Sequence, residues 1–175
     1  MEIIKIHLLK NDNFNIKKSN IITIGFFDGM HKMHKKILKK TKKIAKKNKG
    51  YFSVITFSKK IRNFFRKENG QIFSRKRNYQ LIESKFQPDF IFEIQTDLQV
   101  IHQSKLTFMM YLKNILHVEK IVIGSDFKFG YKALGTTEDL IHFFGNENIY
   151  IFKRNNRYSS SKLLKNTNKF AWIKD

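Results

Sequence analysis

Two rhythms of apolar spacing take turns along this chain. Residues 20–25 form a short apolar, β-branched run ending in glycine, which predicts a buried strand. Residues 31–48 then space Ile37, Leu38, Ile44 and Ala45 at helical intervals among lysines, which predicts an amphipathic helix with a lysine-coated outer face. Gly50 stands where a helix C-cap is expected. A second strand is predicted over residues 51–57, and a helix over 74–86 with Ser74 as its N-cap. Pro88 opens a third strand running to Ile94. Residues 104–117 read as a helix with Leu106, Met109, Met110 and Leu112 facing inward. A strand over 120–124, a short helix over 137–144 capped by Thr136 or Thr137, and a strand over 148–152 follow. Ser159 or Ser160 can cap a last helical turn toward Lys165.

Strands that alternate with helices predict an α/β fold, a three-layer sandwich around a parallel sheet of about five strands with right-handed crossovers. The strand over 21–25 should be central, with the strand over 120–124 beside it. Ligands on such sheets bind beyond the carboxyl ends of the strands, where the strand order reverses. The chain has 175 residues, 41% of them hydrophobic, which suits one domain over 1–175 with a single buried core. No apolar run approaches the roughly 20 residues needed to cross a bilayer. The start, Met1-Glu2-Ile3-Ile4-Lys5, lacks the apolar stretch of a signal peptide. With no cysteine, thiolate chemistry is excluded. These features predict a cytoplasmic protein. The formal charge of +21 admits a polyanionic partner, but the lysines are spread along the chain as in an AT-rich genome, and no nucleic-acid module accompanies them.

Candidate chemistry begins at Gly25-Phe26-Phe27-Asp28-Gly29-Met30-His31-Lys32-Met33-His34. A strand ends, a glycine-containing turn reverses the chain, and a helix starts. The N–H groups and positive dipole end of that helix form a phosphate site. His31 and His34, three residues apart, share one face of the first turn. An imidazole keeps an N–H to donate in either protonation state. Asp28 can orient a ring or a lysine, or help hold a magnesium ion. Two histidines on a lysine-rich helix are also ordinary surface residues. Their place directly after strand, Gly turn and Asp favours the phosphate site.

Four segments resemble the FMN adenylyltransferase module of bacterial FAD synthetases, within the nucleotidyltransferase superfamily that handles ATP through His-x-x-His. Thr23 to His34 resembles I-G-x-F-D-G-V-H-x-G-H, and Val122-Ile123-Gly124-Ser125-Asp126-Phe127-Lys128-Phe129-Gly130 resembles V-V-G-x-D-F-R-F-G. Tyr158-Ser159-Ser160-Ser161-Lys162-Leu163-Leu164 resembles I-S-S-T-x-I-R, and Val54-Ile55-Thr56-Phe57 resembles the start of V-x-T-F-x-P-H-P. The resemblance implies transfer of AMP from ATP, with Mg2+, to FMN, giving FAD and pyrophosphate. It implies that His31, His34, Ser160 and Ser161 act on phosphate, and that Gly25, Phe26, Asp28, Gly29, Asp126 and Lys162 line the nucleotide site. Phe57, Phe127 and Phe129 would line the flavin pocket, although Phe127 and Phe129 read equally well as core. No metal ligand set is identified, and oligomeric state is left open. The chain departs from the pattern at Met33 (family glycine), Leu164 (family arginine), Ser58-Lys59-Lys60 (where the family has Pro and His after Thr-Phe) and Gly135-Thr136 (family Gly-Asp). No riboflavin kinase domain, which usually follows, is recognised. A catalytically weakened nucleotide- or flavin-binding descendant, or an enzyme with another phosphate acceptor, is the alternative.

Overall fold

The computed structural model describes residues 1–8, 14, 16–59 and 74–153. Six strands form one sheet: β1 Glu2–Ile6, β2 Asn20–Ile24, β3 Tyr51–Phe57, β4 Phe90–Ile94, β5 Val118–Gly124 and β6 Ile149–Phe152. Their order is β1-β4-β3-β2-β5-β6, and every pairing is parallel. Among the described residues five α-helices connect them: α1 Lys32–Lys47, α2 Arg75–Phe86, α3 Leu98–Ile101, α4 Lys105–Asn114 and α5 Thr137–Phe144. The fold is the expected Rossmann-like nucleotidyltransferase α/β architecture, with β2 central and β5 beside it. Among the described residues no helix is long and apolar enough to cross a membrane.

The sixth strand is β1, on the edge against β4, with Glu2 opposite Phe90 and Ile6 opposite Ile94. Of its five residues only Ile6 is buried, so it lacks the apolar signature of a central strand. β2 is buried throughout, and the apolar core divides into one cluster on each sheet face. Ile24, Ile55, Phe92 and Ile121 meet Phe108, Met109 and Leu112 of α4 and Leu140 of α5. Ile21, Val54 and Ile91 meet Ile37, Leu38 and Ile44 of α1 and Ile82 of α2. At the amino end of β2, buried Asn20 donates to the Leu116 carbonyl at 3.1 Å and accepts from the Ser53 hydroxyl at 2.6 Å, joining β2 to its surroundings on both sides.

Two local expectations are corrected. Leu106 and Met110 point outward, 53% and 46% exposed, while Phe108, Met109, Tyr111 and Leu112 face the core. The segment Leu-Thr-Phe-Met-Met-Tyr-Leu is apolar nearly all round, so its sequence does not select a face. Gly50 is not the left-handed cap of α1. The C-cap is Asn48, and the left-handed residue is Lys49, φ 53°. Lys49 N–H donates to Lys46 O and Gly50 N–H to Ala45 O, the two bonds of a Schellman motif. Glycine is required at position 50 for space: a Cβ there would lie 2.4 Å from Ile21 Cδ1 and 2.5 Å from the Ser19 carbonyl oxygen. Ser74 caps α2 as expected, and Thr136 with Asp139 forms a reciprocal capping box on α5.

Candidate active site

The chain turns sharply as it leaves β2. Gly25 N–H donates to Ile55 O at 3.0 Å, which keeps the strand end tied to β3. A 3-10 turn over Asp28–Met30 follows, and Phe27, Gly29 and Met30 all take positive φ (49°, 73° and 43°). A left-handed Phe or Met costs roughly 1–2 kcal/mol, and such strain concentrates where a backbone is shaped for a ligand. Asp28 is buried within this turn at 1% exposure.

His31 is the N-cap of α1 rather than a first-turn residue, with extended backbone (φ −64°, ψ 170°). His34 follows within the first turn. Their rings stack, centroids 3.6 Å apart and 25° from parallel, and His34 meets Phe27 edge-on at 5.2 Å. The histidine pair is therefore held as a unit at the positive end of α1. Met33, between them, is half-buried and packs on the α1-side core. Met33→Gly is accordingly expected to lower stability by about 1–2 kcal/mol, from lost packing and helix propensity, with the fold retained. Thermal melts of the variant and the parent check this, and an unchanged melting temperature would show that the thioether adds nothing to the core.

The neighbouring exit, from β5, carries the second motif. Ser125 N–H donates to Phe152 O at 2.9 Å and Phe127 N–H to Gly124 O at 3.1 Å, so the chain folds back at once. Asp126 is exposed, with its carboxylate over Gly124: a Cβ on that glycine would lie 2.9 Å from Oδ1. Phe127 and Phe129 stack at 5.7 Å. Phe129 is buried against Phe108 at 5.3 Å, whereas Phe127 is half-buried at the edge of that core. Phe129 also forms a two-bond bridge to Gly135, where a Cβ would come within 2.7 Å of the Phe129 ring. Lys105 holds Asp139 at 2.6 Å, and that hydrogen bond pulls the Asp139 carboxyl below the ordinary aspartate value. Phe57, at the end of β3, is half-buried against the α4-side core, and Phe26 is half-buried in the first turn.

From β2 the chain crosses to β3 on one side, and β5 lies on the other, so the strand order reverses between β2 and β5. The Gly25–Gly29 turn with His31 and His34, and the Gly124–Asp126 turn, leave the carboxyl edge from these two adjacent strands. Ser160, Ser161, Lys162 and Leu164, like the helical turn expected near them, lie outside the described residues.

A polar cluster at the exits of β3 and β4 escaped the sequence reading. Buried Glu93 accepts from the Tyr79 hydroxyl and, at 2.9 Å, from Gln95, and Arg75 stands 3.5 Å from it. Arg75 also donates to the Ser58 carbonyl, and the Ser58 hydroxyl accepts from Thr96 N–H at 2.8 Å. Burial, then the hydrogen bond to Glu93, push the Tyr79 phenol far above its ordinary range. The available signal was one glutamate inside the apolar run Phe-Ile-Phe-Glu-Ile.

A parallel sheet with a strained glycine turn, a histidine pair on a helix N-terminus and a second loop across the switch point has the architecture of the Rossmann-like nucleotidyltransferase fold class. Within that class the chain belongs to the FAD synthetase family, whose model matches residues 13–167. It is 33% identical over 138 residues to the bifunctional riboflavin kinase/FMN adenylyltransferase of Buchnera aphidicola subsp. Acyrthosiphon pisum (strain APS), covering 77% of this chain and 43% of that one. It is 26% identical over 128 residues to the enzyme of the same name from Listeria monocytogenes serovar 1/2a, covering 71% and 40%. The chain thus spans roughly two fifths of the length of these relatives. A solved structure of a macrolide-efflux protein from Streptococcus pneumoniae superposes with a TM-score of 0.76 at 19% identity, covering 91% of this chain and 54% of that one. At that identity the likeness concerns fold alone.

Proposed function

We propose that this chain is an FMN adenylyltransferase. An FMN phosphate oxygen attacks the α-phosphorus of ATP; the new O–P bond gives FAD, and the bond to the β-phosphate breaks to release pyrophosphate. FMN phosphate is already anionic near neutral pH, so the reaction calls for in-line positioning and charge neutralisation rather than a strong base. The observation that carries this reading is the stacked His31–His34 pair on the N-terminus of α1, at the switch point of the sheet.

In this reading the imidazoles and the first N–H groups of α1 hold the ATP phosphates, and Gly25 and Gly29 let them approach the backbone. Asp126 stands at the junction of nucleotide and flavin, and Phe57 and Phe127 offer the flavin ring apolar surface. Ser160, Ser161 and Lys162 are assigned to phosphate by family resemblance. Magnesium enters with ATP as part of the substrate: Mg2+ keeps several waters and leans on phosphate oxygens. Among the described residues no group of three or more His, Asp or Glu is placed to hold an ion.

Incubation with ATP, magnesium and FMN, followed by chromatography, should yield FAD and pyrophosphate together. Binding of both substrates without product would instead favour a non-catalytic descendant, and product from another phosphate acceptor would redirect the assignment. The flavin side has its own test. Gly135→Ala should push the Phe129 ring and, through the stack, Phe127, and weaken FMN binding by about tenfold, roughly 1.4 kcal/mol. ATP affinity should stay unchanged. Titration with each ligand checks this, and equal loss of both would mean general unfolding.

A further inference from the structure

The lysine face of α1 has no part in the core, and nothing in the proposed reaction uses it. Nine of the helix's 16 residues are lysine and none is acidic. Its apolar side, Ile37, Leu38, Ile44 and Ala45, is fully engaged beneath. The face therefore offers no apolar residue to insert into a bilayer, which separates it from membrane-surface helices. Lys39, Lys43 and Lys46 are exposed along it. What distinguishes this face from the scattered lysines elsewhere is its origin: it starts at Lys32 and Lys35, which flank His34 in sequence, and runs along one rigid axis on the side of α1 turned away from the His34 ring.

We infer that the α1 lysine face is an electrostatic guide that captures the anionic substrates and delivers them to the histidine pair, acting on association and not on the chemical step. This rests on the phosphate-site reading of His31 and His34. At a rise of 1.5 Å per residue, Lys39, Lys43 and Lys46 lie about 8, 14 and 18 Å along the axis from His34, beyond reach of a phosphate seated there. Their influence is through the field. The Debye length is about 30 Å at 0.01 M salt and about 10 Å at 0.1 M, so the whole helix acts at low salt and only its first turns at higher salt. Fields of one sign beside a site raise association rates by roughly 10- to 1,000-fold and fade with ionic strength. ATP, with several negative charges, gains most. Adenosine, with the same base and ribose but no phosphate, gains nothing.

The test is stopped-flow association of ATP and of adenosine with the full chain, with and without the triple substitution Lys39→Glu, Lys43→Glu and Lys46→Glu. ATP association with the variant should be at least about tenfold slower at 0.01 M salt and converge to within about twofold at 0.5 M. Adenosine binding and the far-ultraviolet circular dichroism should not change. Equal ATP rates for the two proteins at low salt overturn the inference, as does a parallel loss of adenosine binding. Absence of any ATP association sinks both this inference and the adenylyltransferase reading. Salt-steep, variant-sensitive capture of ATP without FAD formation leaves the guide standing and removes only the proposed reaction. FAD formation with capture indifferent to the triple substitution does the reverse.

Discussion

His34→Ala should slow FAD formation by about a hundredfold or more, the loss that follows removal of a preorganised donor to transition-state charge. The same substitution removes half of the 3.6 Å ring stack and the edge contact with Phe27. Aromatic contacts of this kind are each worth roughly 0.5–1.5 kcal/mol, so the melting temperature should fall by a few degrees while the fold survives. The substitution takes from His31 the ring on which it stacks. His31→Ala and the double variant should then lose about as much activity as His34→Ala alone, because residues acting as a unit are strongly non-additive. Single-turnover rates at saturating ATP and FMN read this directly. An unimpaired His34→Ala enzyme would remove the ring from the mechanism, and multiplicative losses would mean that the two rings work separately.

The second large effect lies far from the site. Gly50→Ala should destabilise the domain by about 3 kcal/mol, the upper end for overpacking. One of the three close atoms is the Ser19 backbone carbonyl oxygen at 2.5 Å, which cannot swing aside as the Ile21 methyl can. For a chain of this size that corresponds to a fall of roughly 6–12 °C in melting temperature. Lys49→Gly, one residue earlier, should do the opposite. It relieves a left-handed lysine and, after the added freedom of glycine in the unfolded chain, should gain about 0.5–1 kcal/mol. Thermal melts of the two variants have opposite signs only if space, and not φ, fixes Gly50; a larger loss at position 49 would return the cap to its sequence-based reading.

That reversal illustrates what the sequence can convey. Gly50 after a helical run is a fair cap signal, but the chain uses it one residue later, where α1 passes close to β2. The parallel core was legible because β2 to β5 are buried on both faces and read as continuous apolar runs bounded by turn residues. β1 was not, because an edge strand that buries only Ile6 has no such run. Leu106 and Met110 were misassigned because α4 is apolar around most of its circumference. The His31–His34 segment was legible from spacing and from its place after a strand and a Gly turn. The stack itself, and the seat of Phe129 on Phe108, depend on side-chain directions that spacing does not encode. Glu93 needed its partners to be understood: Tyr79 and Arg75 come from a helix 14 and 18 residues earlier.

An all-parallel sheet has a kinetic consequence. Parallel neighbours cannot be joined by a tight hairpin, so every strand pairing in this domain requires a crossover before its first hydrogen bond forms. β2 is the extreme, since Asn20 waits for Val118, and β1 must find β4 across a similar stretch, with Glu2 opposite Phe90. Loop-closure entropy has to be met before such contacts stabilise anything, which places the domain among slow folders of high contact order. The β5–α5–β6 and β2–α1–β3 units, whose partners are nearest in sequence, are where folding can nucleate. β1, held by one neighbour and little burial, should dock last and exchange its amide protons first.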